Sequence, residues 1–166
     1  MADQTPAPHT EKLTEAEKRR NLIRLVFEGD ERRFRDFCDV VRSVVPRGTS
    51  IVVRGSAVTG QRWKDGAPFD AKGPGTSDVD LTLVGNEATQ LFNLTGYYVP
   101  AIHSRPLSDR DPNIAPDLVP LRERLMEMVG RPVNIQATQE FVMTIRGELM
   151  GQPYLVIDDA PAEDRR

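Results

Sequence analysis

Cysteine occurs once and histidine twice in 166 residues. That excludes an internal disulfide and leaves too few ligands for a zinc site built from those residue types alone. No run approaches the roughly 20 apolar residues that a bilayer span needs. Met1 to Glu11 has no apolar signal segment, so a cytoplasmic, non-membrane protein is expected. Positive charge is not in excess either: the net charge of −3 gives no general pull toward nucleic acid. What is present is ordinary for a globular chain, with 39% hydrophobic and 28% charged residues. A single domain over residues 13–158 is expected, with flexible tails at 1–12 and 159–166.

Helix signals dominate the first third. Thr14 and Glu17 form a capping box ahead of Leu22, Ile23, Leu25, Val26 and Phe27, with closure at Gly29. Asp30 then caps a second helix in which Phe34, Phe37, Cys38, Val41, Val44 and Val45 recur at helical spacing until Pro46. Cys38 on that stripe reads as a packing residue. Arg19, Arg20, Arg24, Arg32, Arg33 and Arg35 read as solvated helix faces. A β-branched run from Thr49 to Arg54 predicts a strand that ends on Gly55-Ser56.

Residues 57–77 are rich in glycine and proline and read as a loop. Within it Arg62, Lys64 and Lys72 are either phosphate contacts or loop charges. Trp63 and Phe69 are either a base-stacking shelf or the loop's own anchors. A short helix bearing Leu91, Phe92 and Leu94 is expected after Asn86. Residues 96–116, punctuated by four prolines, read as an insertion or extended loop with His103 at the surface. Asp117 is expected to cap a helix carrying Leu118, Leu121, Leu125 and Met128 to Gly130. Val133 to Gln136 reads as a strand with Asn134 opposite Val133 and Ile135. Thr138 is expected to cap a last helix with Phe141, Ile145 and Leu149 on one face, before a strand at Tyr154 to Ile157.

The most informative stretch is Asp78-Val79-Asp80, running into Leu81-Thr82-Leu83-Val84. Strand side chains alternate, so Asp78, Asp80 and Thr82 share one face and Val79, Leu81 and Leu83 the other. Two carboxylates then stand roughly 6–7 Å apart along the strand. Such a pair calls for neutralisation, and hard oxygen-liganded cations such as Mg2+ are the natural partners. Gly55 lets backbone approach a ligand, while Ser56 offers a hydroxyl and an N–H to phosphate oxygens.

Gly55-Ser56 followed by Ser77-Asp78-Val79-Asp80-Leu81 resembles the polymerase-β-like nucleotidyltransferase superfamily. Ile145 to Leu155 is similar to the ending of its small bacterial members, the minimal nucleotidyltransferases. The resemblance covers residues 31–157 by order of elements, and only the Gly-Ser and Asp-x-Asp pieces are specific. It implies an α/β (α+β) fold with a mixed sheet of about four to five strands flanked by helices, with N-terminal helices and long loops. It implies transfer of a nucleoside monophosphate from a triphosphate such as ATP to a hydroxyl on a protein, small molecule or RNA. The cofactor would be Mg2+, or Mn2+ in its place.

By the same resemblance Asp78 and Asp80 are metal ligands and catalytic residues, and Gly55, Ser56 and Ser77 contact phosphate. Ser77 has a second reading as a loop cap. A third carboxylate is expected on the later strand, where this chain has Asn134. Either Asn134 occupies that catalytic position, without charge or proton-accepting capacity, or Glu140 or Asp117 folds in instead. A catalytically degraded module that binds nucleotide or a partner is the alternative, and a partner-binding subunit unrelated to nucleotides a third. The resemblance also implies a helical partner protein, as in toxin–antitoxin pairs; the chain's size leaves the acceptor surface to its long loops, to self-association or to another protein.

Overall fold

The computed structural model describes residues 12–159. The expected tails, apart from Lys12 and Asp159, lie outside them. Two helices, α1 (Glu15–Phe27) and α2 (Glu31–Val44), lead into β1 (Ser50–Arg54) and a single turn, α3 (Ser56–Thr59). Next come β2 (Val79–Val84), the turn α4 (Asn86–Thr89), β3 (Tyr97–Val99) and β4 (His103–Ser104). The chain ends with α5 (Val119–Val129), β5 (Val133–Thr138), α6 (Glu140–Thr144) with a π turn over Ile145–Leu149, and β6 (Tyr154–Asp158).

The capping expectations for the first two helices hold in atomic detail. Thr14 and Glu17 exchange both hydrogen bonds of a capping box, at 3.1 Å each. The Asp30 carboxylate accepts from the N–H groups of Arg32 and Arg33. Glu28 and Gly29 take left-handed backbone, turning the chain so that Phe27 meets Phe34 and Phe37 edge-on at 5.5 and 5.3 Å. The three rings are fully buried, and rings of this size dominate a core's apolar burial.

Six strands form one mixed sheet in the order β3-β4-β5-β2-β1-β6, more than the expected four to five. The extra pair lies in residues 96–116, which were expected to be an insertion or loop. Tyr97 and Ser104 pair across a short hairpin, and His103 pairs with Thr138 of β5. β2 and β5 run parallel through a crossover that carries α5, and β1 pairs antiparallel with both β2 and β6.

One sheet face, with Ile51, Val53, Leu81, Leu83, Val133 and Ile135, packs into the same core as α1, α2 and α5. The opposite face carries Val52 and Val84, which cluster with Met143 of α6 and with Tyr154.

Several local expectations shift. On α2 it is Val40 that enters the core, while Val44 is 45% exposed. The helix after Asn86 stops at Thr89, leaving Phe92 buried and Leu94 exposed beyond it. Asp117 lies in a 3-10 turn and Leu118 is the residue that precedes α5, because Pro120 starts the helix without needing an N–H. Thr138 ends β5 and Gln139 stands at the cap position of α6. Phe141, Ile145 and Leu149 point outward, at 53%, 43% and 80% exposure. Their periodicity is genuine, but α6 meets the sheet through Met143 on its other side. No helix among the described residues is long and apolar enough to cross a membrane.

Candidate functional site

Strand alternation and register build the site on the sheet face opposite the main core. Asp80 of β2 is paired with Arg54 of antiparallel β1 and with Asn134 of parallel β5. Three polar side chains thus form a row across three adjacent strands. Asp78 precedes β2 and is exposed, whereas Asp80 is half-buried. The Asn134 amide nitrogen spans both, donating to Asp78 Oδ2 at 2.8 Å and to Asp80 Oδ1 at 3.2 Å. Burial raises the Asp80 pKa above its ordinary value, the Asn134 hydrogen bond opposes the shift, and the Asp78 charge adds to it.

The turn after β1 closes against this pair. Gly55 has φ +83°, and a Cβ on it would lie 2.9 Å from Asp80 Oδ2. Glycine is required there twice over, by the left-handed backbone and by the carboxylate. Ser56 opens α3, half-exposed beside it. Ser77 is brought close in sequence but used differently. Its hydroxyl accepts from the Asp70 N–H at 2.7 Å, and its own N–H donates to Asp70 Oδ1 at 2.9 Å.

Those two bonds belong to a latch that orders the loop of residues 57–77. Asp70 accepts both Arg131 amino groups, at 2.9 and 3.1 Å. Arg131 also bonds the Ser77 carbonyl and lies over the Phe69 ring, 4.5 Å from its centroid. The Arg131 guanidinium, ahead of the backbone N–H groups of Ser77 and Gly75, holds the Asp70 pKa down at about 2. Phe69 is therefore a loop anchor, packed against the core. Trp63 is 63% exposed. Arg62 pairs with Asp65 inside the loop, and Lys64 and Lys72 are exposed.

No protein-family model, curated protein or solved structure matches this chain. The reading of the site therefore rests on its own chemistry.

Neither alternative acid joins the pair. Among the described residues no group of three or more His, Cys, Asp or Glu side chains is arranged to hold a metal. Asp117 is exposed ahead of α5, and Glu140 lines a separate cavity with Arg47 and Gln139. Asp78 and Asp80 still offer hard, anionic oxygen donors, and Gly55 leaves open the space that a side chain would fill beside Asp80. This donor set fits a hard divalent cation such as Mg2+ or Mn2+. The fit requires Asn134 to reverse its amide, so that its oxygen rather than its nitrogen faces the carboxylates.

Four residues of the site were not singled out as site residues in the sequence. Arg54 donates to Thr82 Oγ1 at 3.1 Å and to Gln136 Oε1 at 2.7 Å. Burial, then the charge of Arg146, lowers its pKa to about 10. Gln136 donates to the Ser104 carbonyl and meets His103 Nε2 at 3.3 Å, while His103 Nδ1 meets Thr138 Oγ1 at 3.0 Å. Expected at the surface, His103 is instead half-buried, and burial with the nearby Arg146 and Arg54 lowers its pKa to about 4.

Arg146, on the π turn after α6, is the second cation near Asp80, and burial lowers its pKa as well. It reaches the site because Gly147 lets the turn sit on Tyr154: a Cβ there would fall 2.5 Å from the ring. The Arg54 signal was its position beside Gly55. Gln136, His103 and Arg146 depend on pairings across the sheet that no local pattern announces.

Proposed function

We propose that this protein is a nucleotidyltransferase, moving a nucleoside monophosphate from a triphosphate to a hydroxyl acceptor at the Asp78–Asp80 site. The observation that carries the reading is the close approach of Gly55 to Asp80, which sets the Gly-Ser turn directly against the acidic pair. Asp78 and Asp80 would hold Mg2+, which when bound supplies positive charge to the phosphates. The Gly55 backbone and the Ser56 hydroxyl face the phosphate oxygens. In the reaction the acceptor oxygen bonds the α-phosphorus as the bond to pyrophosphate breaks. The Asn134 amide takes no proton, so the hydroxyl proton passes to solvent water at this open site. The setting is cytoplasmic, and the hydroxyl belongs to a protein, small molecule or RNA, with a helical partner or a second copy supplying further surface.

Incubation with labelled ATP, GTP, CTP and UTP, Mg2+ and cell lysate tests the reading. Label should transfer, and Asp78→Ala/Asp80→Ala should abolish transfer; label that persists in the double variant argues against it.

A second reading has its own observation. Asn134 ties both carboxylates by hydrogen bonds, and Arg54 and Arg146 place two cations beside Asp80. A site neutralised in this way suits a module that binds nucleotide without turnover. Calorimetric titration with nucleotide and Mg2+, run beside the transfer assay, separates the two: binding with no transfer selects the module.

A further inference from the structure

A cavity of about 250 Å³ adjoins Asp80, with Arg54, Arg146, Trp63 and Gln152 in its walls and Gly55 at its edge. Two guanidiniums face one carboxylate there, so the walls favour an anion. Arg54 has its Nε and one amino group committed to Thr82 and Gln136. Arg146 has only Nε committed, to Gln152 Oε1 at 2.9 Å, and its Nη1 is buried with no hydrogen-bond partner among the described residues. Planar forks of this kind match phosphate oxygens. Trp63 stands at the mouth, 63% exposed, although an indole gains from burying its faces. The cavity falls below the roughly 300 Å³ of the smallest usual ligand pockets, so it takes part of a ligand and leaves the rest at the rim.

We propose that this cavity seats a nucleoside triphosphate, with Arg54 and Arg146 on its polyphosphate and its base stacked on the Trp63 indole. The inference rests on the nucleotidyltransferase reading and adds where the nucleotide lies. Gln152 orients Arg146 through its Nε and so acts as a positioning residue. Phe69, the other aromatic of the loop, holds the loop so that Trp63 stays at the rim.

Trp63 is the chain's one tryptophan, so its fluorescence reports on this cavity alone. With the full chain and Mg2+, ATP should quench it saturably. Arg146→Gln should raise the Kd for ATP and for inorganic tripolyphosphate about tenfold or more, the loss of one charged contact. Arg146→Lys should recover part of the loss. Trp63→Leu, followed by calorimetry, should weaken ATP about tenfold while leaving tripolyphosphate within about twofold of wild type. If Arg146→Gln melts early, Gln152→Glu serves instead, since a carboxylate on Arg146 competes with the anion and should also weaken tripolyphosphate.

Calorimetric ATP binding without a change in Trp63 fluorescence, or an Arg146→Gln affinity within twofold of wild type, overturns the assignment of the cavity and leaves the proposed function standing. No binding heat with any of the four triphosphates overturns both.

Discussion

Asn134→Asp puts a third carboxylate where an amide now donates to two. In the absence of divalent cations the variant loses hydrogen bonds of 2.8 and 3.2 Å. Each charge-assisted bond contributes about 1.5–3 kcal/mol, with the one to exposed Asp78 at or below the low end. It also adds like charge. At about 4 Å and an effective dielectric near 20, each carboxylate pair repels by about 4 kcal/mol before relaxation, but proton uptake relieves most of this. A net loss of about 3 kcal/mol is expected in EDTA at pH 7, a fall in Tm of about 6–12 °C for a chain of this size. Carboxylates held together have pKa values raised in the folded state, so the loss is present at neutral pH and shrinks as pH falls through those values.

Mg2+ should reverse the effect, because three acids bind it better than two. At a hundredfold excess over Kd, binding restores about 2.7 kcal/mol. Differential scanning fluorimetry at pH 7 and pH 4.5, in EDTA and in Mg2+, reads all four corners. If Asn134 stands where a catalytic base belongs, the transfer rate should rise by about 10²- to 10⁴-fold. A Tm within about 1 °C of wild type in EDTA refutes the claim that the Asn134 amide holds the two carboxylates together, and a Mg2+ shift no larger than wild type's removes position 134 from the cation site. An unchanged transfer rate removes Asn134 from the catalytic position.

Other substitutions probe the same frame. Gly55→Ala meets both a left-handed backbone and Asp80 Oδ2 at 2.9 Å, so it should cost about 1–3 kcal/mol in chemical denaturation and reduce nucleotide binding more than that loss explains; full binding with native stability would contradict the geometry. Asp70→Asn should lose about 2–3 kcal/mol and let proteases cut the 57–77 loop. The Asp70 contribution, from a depressed folded pKa of about 2, is present above the usual carboxylate range and is lost as pH falls toward 2; a cleavage rate equal to wild type's would remove the latch from the account. His103 has its folded pKa depressed to about 4, so its contribution is present above its ordinary value of about 6.5 and is lost as pH falls through 4. NMR titration of the ring should show no protonation at pH 6, and a midpoint near 6.5 would exclude the Gln136–His103 pairing.

The amino-acid sequence by itself determined the helices that carry local signatures, and the spacing of the two carboxylates at Asp78 and Asp80. A capping box at Thr14 and Glu17, an Asp30 cap and alternation through Val79 to Leu83 are short-range patterns, so backbone geometry follows from neighbouring residues alone. The same alternation put Asp80 and Asn134 on the face away from Val133 and Ile135. Which residues meet on that face was decided only by tertiary structure. Parallel pairing of β2 with β5 and antiparallel pairing with β1 align Asn134, Asp80 and Arg54, and those registers join positions 54, 80 and 134 across long stretches of chain.

The hairpin in residues 96–116 was illegible because its strands are only three and two residues long, too short for alternation to register. The outward position of Phe141, Ile145 and Leu149 was illegible for a related reason. Periodicity reveals that a helix has two faces, but only the sheet beneath it selects which one is buried.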